Sequence, residues 1–92
     1  MQLLVTPVFE RAIKKLRPRQ KSELDEAVRT IADHPESGEA KVGDLQDIRV
    51  YKFRLSNQLC MLAYRVLDES SLKLLAFGQH ENFYRDLKRQ DK

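Results

Sequence analysis

Two groups of residues in this chain could act on a phosphate or a similar anion. Lys52 and Arg54 stand two apart in a run of β-forming residues, which puts both on one face of a strand. Arg65 falls on the next strand of the same hairpin, so three cations could meet one phosphate. Arginine suits bidentate contact and stays charged, whereas lysine acts as a point charge. His80 and Tyr84 stand four apart, so in a helical turn they share a face, and an imidazole titrates near neutrality as a general acid or base must. Arg85 follows Tyr84 and either joins that group or pairs with Glu81 one turn earlier. The plain alternatives are a solvated sheet face for the cations, and a surface histidine beside a packed aromatic for His80 and Tyr84.

The remaining reactive residue types point elsewhere. Tyr51 and Phe53 alternate with Lys52 and Arg54, so they face the opposite side of the strand and read as core. Cys60 is the only cysteine, which excludes an internal disulfide and a thiolate metal cluster, and its setting in Leu59-Cys60-Met61-Leu62-Ala63 makes it a small buried residue. His34 precedes Pro35 at a helix end, where a capping role is natural. His34 and His80 lack convergent metal ligands, and there is no glycine-rich phosphate loop, so neither metal nor cofactor is expected.

At 92 residues the chain is long enough for one core, and residues 1–92 read as a single domain. With 41% hydrophobic and 34% charged residues it is too apolar for disorder. It has no apolar run near the roughly 18 to 20 residues of a membrane span. The apolar start, residues 1–5, stops at Thr6-Pro7 without a basic leader, and a cytoplasmic location is expected. The net charge of +3 is unevenly spread. Residues 11–21 hold Arg11, Lys14, Lys15, Arg17, Arg19 and Lys21 with no acid, and residues 48–67 hold Arg49, Lys52, Arg54 and Arg65 with none. Two basic surfaces suited to a polyanion follow.

These residues need elements to position them. Residues 2–5 form a strand that Thr6 and Pro7 convert into a helix, by capping and by a preset first position. Phe9, Ala12, Ile13 and Leu16 give that helix one apolar face. After Pro18 a second helix repeats the spacing with Leu24, Ala27, Val28 and Ile31, ending at Asp33-His34-Pro35. Residues 36–47 read as a loop. Residues 48–55, 58–67 and 72–77 predict three hairpin-connected strands with a first turn at Ser56-Asn57, the middle one apolar on both faces and therefore central. Beyond Gly78, Phe83, Tyr84 and Leu87 among charges suggest a short C-terminal helix. The expected fold is α+β: an N-terminal helical hairpin on a four-stranded, mainly antiparallel sheet, with that short helix closing the chain.

This order resembles the RelE/ParE superfamily of bacterial type II toxins across nearly the whole chain. The carriers are Phe9-Glu10-Arg11-Ala12-Ile13-Lys14-Lys15-Leu16, Ile48-Arg49-Val50-Tyr51-Lys52-Phe53-Arg54, Leu62-Ala63-Tyr64-Arg65-Val66, and Gly78-Gln79-His80-Glu81-Asn82-Phe83-Tyr84-Arg85-Asp86-Leu87. The resemblance implies a toxin neutralised by a cognate antitoxin whose disordered segment folds over it. One branch of the superfamily is an mRNA interferase, an endoribonuclease acting on messenger RNA at the ribosome; the other inhibits DNA gyrase without hydrolysis.

For the RNA-cleaving branch the resemblance places His80 and Tyr84 where several members keep a histidine and a C-terminal aromatic. Metal-independent cleavage needs a base for the 2′-OH, cations for the charge on phosphorus, and an acid for the departing 5′-oxygen. His80, Tyr84 and Arg65 are the expected catalytic residues, with Lys52, Arg54 and Arg85 on the phosphate. One position departs from the pattern: many members carry an arginine shortly after the central hairpin turn, where this chain has Met61. Arg54 or Arg65 would then have to supply that contact.

Overall fold

Thr6 closes one element and opens the next. In the computed structural model, which describes residues 2–41 and 47–79, β1 (Gln2–Val5) runs into α1 (Pro7–Lys14) through this residue. The Thr6 hydroxyl accepts the Phe9 N–H at 3.1 Å and donates to the Leu75 carbonyl at 2.7 Å. It thus caps the helix and satisfies a carbonyl on a strand 69 residues away. α2 (Pro18–Asp33) completes the helical hairpin, and a 3₁₀ turn (Pro35–Ser37) leads out of it.

The sheet has five strands: β1, β2 (Glu39–Ala40), β3 (Arg49–Leu55), β4 (Gln58–Asp68) and β5 (Ser71–Gly78), in the order β1-β5-β4-β3-β2. The expected four-stranded sheet is corrected on two counts. Residues 36–47 contain β2, whose Glu39 and Ala40 pair with Val50 and Arg49 despite having no β-forming character of their own. β1 pairs with β5 in parallel, Leu3 opposite Leu72 and Val5 opposite Leu74, so the sheet is mixed. The expected C-terminal helix lies outside the described residues.

β4 is central, as its two apolar faces require. Facing the helices, Leu62, Tyr64, Leu72 and Leu74 pack with Phe9, Leu24, Ala27 and Ile31. On the other face Ile48, Val50, Met61, Ala63, Leu75 and Ala76 form a second buried cluster. The β4–β5 register skips Leu75 between the pairs Ala63–Ala76 and Tyr64–Leu74, and this bulge leaves the carbonyl that Thr6 binds. The β3–β4 hairpin turns through Ser56 and Asn57, both with positive φ (52° and 67°), the geometry that matches the strands' twist. Among the described residues no helix is long and apolar enough to cross a membrane.

Candidate anion-binding face

Lys52 and Arg54 alternate with Tyr51 and Phe53 along β3, and the structure sends the two pairs to opposite sides. Tyr51 and Phe53 pack against the helix-side core, as expected from the sequence. Lys52 and Arg54 are exposed on the face away from the helices, about 7 Å apart along the strand. Lys52 stands opposite Met61 and Arg54 opposite Leu59. The Arg54 guanidinium donates to the Asn57 carbonyl at 3.2 Å, beside the turn.

Arg65 is on the same face but not at the same place. It lies four residues along β4 from Met61 and six from Leu59, so about 13 and 20 Å of strand separate it from the cross-strand partners of Lys52 and Arg54. The expectation that all three meet one phosphate is corrected accordingly: Lys52 and Arg54 form one group near the hairpin turn, and Arg65 belongs to the other end. There it pairs in register with the exposed Lys73 of β5. Lys73 was not singled out from the sequence, although the polar position in Leu72-Lys73-Leu74 marks it as outward-facing.

Arg49, the remaining strand cation, is not part of this face. It points to the helix side and donates to the Gly38 carbonyl at 2.8 Å, so its role is structural. Met61 is buried in the cluster beneath Lys52, which makes it part of the floor and leaves no cation at that position. Cys60 is buried, and burial, followed by the nearby Glu23 carboxylate, pushes its thiol up from the ordinary value, the opposite of an activated nucleophile. His34 caps α2 through its backbone N–H to Thr30, and its exposed ring lies 3.6 Å from Glu36. His80, Tyr84 and Arg85 lie outside the described residues.

With this geometry in place, comparison with known proteins places the fold. A family model described as the ParE-like toxin of type II bacterial toxin–antitoxin systems matches residues 3–88. No curated protein sequence matches. Among solved structures, the chain is similar to the free Escherichia coli toxin RelE carrying two arginine-to-alanine substitutions (TM-score 0.70, 19% identity, 97% of this chain and 90% of that one). It is also similar to a chain of the intact Escherichia coli RelBE toxin–antitoxin complex (TM-score 0.67, 21% identity, 87% and 96%). The toxin–antitoxin complex RelBE2 of Mycobacterium tuberculosis gives a TM-score of 0.65 at 22% identity, covering 86% and 96%. At these identities the likeness is one of fold.

Proposed function

This chain belongs to the ParE-like toxins of type II bacterial toxin–antitoxin systems, and from that premise we propose that it is an endoribonuclease that arrests growth by cutting messenger RNA at the ribosome. The observation that carries this reading is the exposed Lys52 and Arg54 pair on one face of β3, with the Arg54 guanidinium bonded to the Asn57 carbonyl. Two neighbouring cations suit a phosphate and the extra charge that develops on it. His80 serves as general acid or base with Tyr84 assisting, Arg85 adds to the phosphate contacts, and Arg65 acts further along the strand. The 2′-oxygen loses its proton and bonds to phosphorus; the bond to the 5′-oxygen breaks, and that oxygen takes up a proton.

A cognate antitoxin is the expected protein partner. An acidic, amphipathic segment that folds on binding would complement the basic surfaces, and the edge strand β1, with Leu3, Leu4 and Val5 exposed, offers it an apolar border.

Inhibition of DNA gyrase is the second reading. It is favoured by the buried Met61, which leaves the sheet floor uncharged beneath Lys52. One experiment separates the two: follow translation, transcript 5′ ends and plasmid supercoiling after induction of the wild type and His80→Ala. New 5′ ends within coding frames, with cleavage reduced about 10²- to 10⁴-fold in the variant, are expected of the ribonuclease. Intact transcripts with altered supercoiling, unchanged by the substitution, would overturn it in favour of gyrase inhibition.

A further inference from the structure

We propose that the cleft between the α1–α2 turn and the β3–β4 hairpin is a nucleobase pocket that selects the RNA sequence cut at the neighbouring cation pair. The proposal rests on the RNA-cleaving reading and adds a specificity site to it. The cleft has a volume of about 470 Å³, within the range of small-ligand sites. Its floor is apolar and partly aromatic: Leu55, Cys60 and Phe77, the last held edge-to-face against Phe9 at 5.2 Å between ring centres. Aromatic rings are the surfaces on which unpaired bases stack.

The rim consists of amides and one cation. Gln20 is fixed at both ends of its side chain, accepting the Arg17 N–H at 2.9 Å and donating to the Ser56 hydroxyl at 3.1 Å. Gln58 and Gln79 are neighbours at the cleft's edge, at the start of β4 and just beyond β5, and share an amide–amide hydrogen bond. A primary amide that gives one end to its neighbour keeps the other. Together the pair therefore presents one NH₂ group and one carbonyl, whichever way the two amides are turned. Each free end can make one hydrogen bond to a polar atom of a base, the donor to a ring nitrogen or carbonyl and the acceptor to an amino group. Arg17 contributes a planar cation at the rim. No acid lines the cleft among the described residues, and the nearby Glu23 carboxylate accepts the Ser56 N–H at 3.2 Å.

Placement links this cleft to the cations. Gly78, on its lip, pairs with Met61, and Met61 pairs with Lys52 on its other side. The lip is thus two strand spacings, about 10 Å, from the Lys52 backbone at the same end of the sheet. The cleft opens on the helix side of the sheet and the Lys52 and Arg54 side chains lie on the other face, so a single strand held on the cations reaches the cleft by passing round the β3–β4 end of the sheet, with a base a few nucleotides from the cut.

The test has two arms. In the first, the four ribonucleoside 5′-monophosphates and ribose 5-phosphate are titrated into the ¹⁵N-labelled full chain while the side-chain NH₂ resonances of Gln20, Gln58 and Gln79 are followed. Saturable shifts with one base preferred are expected. No shifts, or equal shifts with every ligand including ribose 5-phosphate, would overturn the pocket. In the second arm, Gln58→Leu and Gln79→Leu, each checked for a wild-type-like backbone amide spectrum, are compared on RNAs that differ in one base within a few nucleotides of the cut. Their relative cleavage rates should change by about 5- to 100-fold, the effect of leaving one hydrogen-bonding partner unsatisfied. Base-selective shifts without any RNA cleavage would keep the pocket and reject the ribonuclease; cleavage with unaltered preference in both variants would keep the ribonuclease and reject the pocket.

Discussion

The hydroxyl of Tyr64 accepts the backbone N–H of Gly38 at 2.9 Å, and a Cβ placed on Gly38 would come within 2.5 Å of that same oxygen. The hydroxyl also donates to the Pro35 carbonyl at 2.6 Å. Tyr64, fully buried on the central strand, thereby fixes the chain that leaves α2 and delivers it to β2. Arg49 holds the same glycine from the other side through its carbonyl. The backbone of Gly38 is ordinary and extended (φ −79°), so the demand for glycine here is one of space.

Gly38→Ala should destabilise the fold by about 1–3 kcal/mol, because the methyl displaces a buried ring. Tyr64→Phe should cost about as much for a different reason, leaving the Gly38 N–H and the Pro35 carbonyl without their partner, at about 1–3 kcal/mol. Urea unfolding of the two variants checks both figures. Combining them should cost less than the sum, since the phenylalanine lacks the oxygen that the methyl meets first; strict additivity would contradict this account.

Alkaline pH should weaken the wild type through Tyr64. Burial raises its phenol above the ordinary value, and this outweighs the Gly38 N–H and the Arg49 cation, which act the other way. The folded state thus favours the neutral phenol. Its contribution is complete below about pH 10 and is lost as pH rises from there through the raised folded value. Thermal midpoints measured from pH 7 to 11 should fall more steeply for the wild type than for Tyr64→Phe. Parallel curves would show that this phenol is not the group responsible.

The hairpin turn makes a local prediction. Asn57 holds φ at 67°, where a residue with a Cβ is disfavoured unless it is asparagine or aspartate. Asn57→Ala should therefore lose about 1–2 kcal/mol, whereas Asn57→Gly should be close to neutral. Because Arg54 is anchored on the Asn57 carbonyl, the alanine variant should also loosen the cation pair. Chemical denaturation together with RNA affinity would reveal both effects.

Lys52→Ala and Arg54→Ala should each weaken binding of single-stranded RNA to the full chain, with log K falling less steeply against log salt, by about 0.7 per phosphate contact removed. Lys73→Ala should do so only with RNAs long enough to span the sheet, since Lys73 stands with Arg65 at the far end. Fluorescence anisotropy with short and long oligonucleotides, at several salt concentrations, gives the slopes. An unchanged slope in the Lys52 and Arg54 variants would remove those residues from the interface.

Local chemistry made much of this molecule legible in its sequence. The 3.6-residue spacing of Leu24, Ala27 and Ile31 identified the buried face of α2, and the alternation through Tyr51, Lys52, Phe53 and Arg54 identified which side chains enter the core. Thr6-Pro7 and Ser56-Asn57 marked a cap and a turn, because both depend on residues next to one another in the chain. Partners distant in sequence were decided only by the tertiary structure. Gly38, just before β2, is held by Tyr64 and Arg49, β1 pairs in parallel with β5, and the bulge at Leu75 meets Thr6 across 69 residues. The same holds for the candidate anion-binding face. Alternation tells which side of a strand Arg65 occupies, but only the register tells how far along it lies, and that distance separates it from Lys52 and Arg54. Side-chain direction repeats every two residues and is fixed by the local backbone, whereas register and strand order are set by the packing of whole elements.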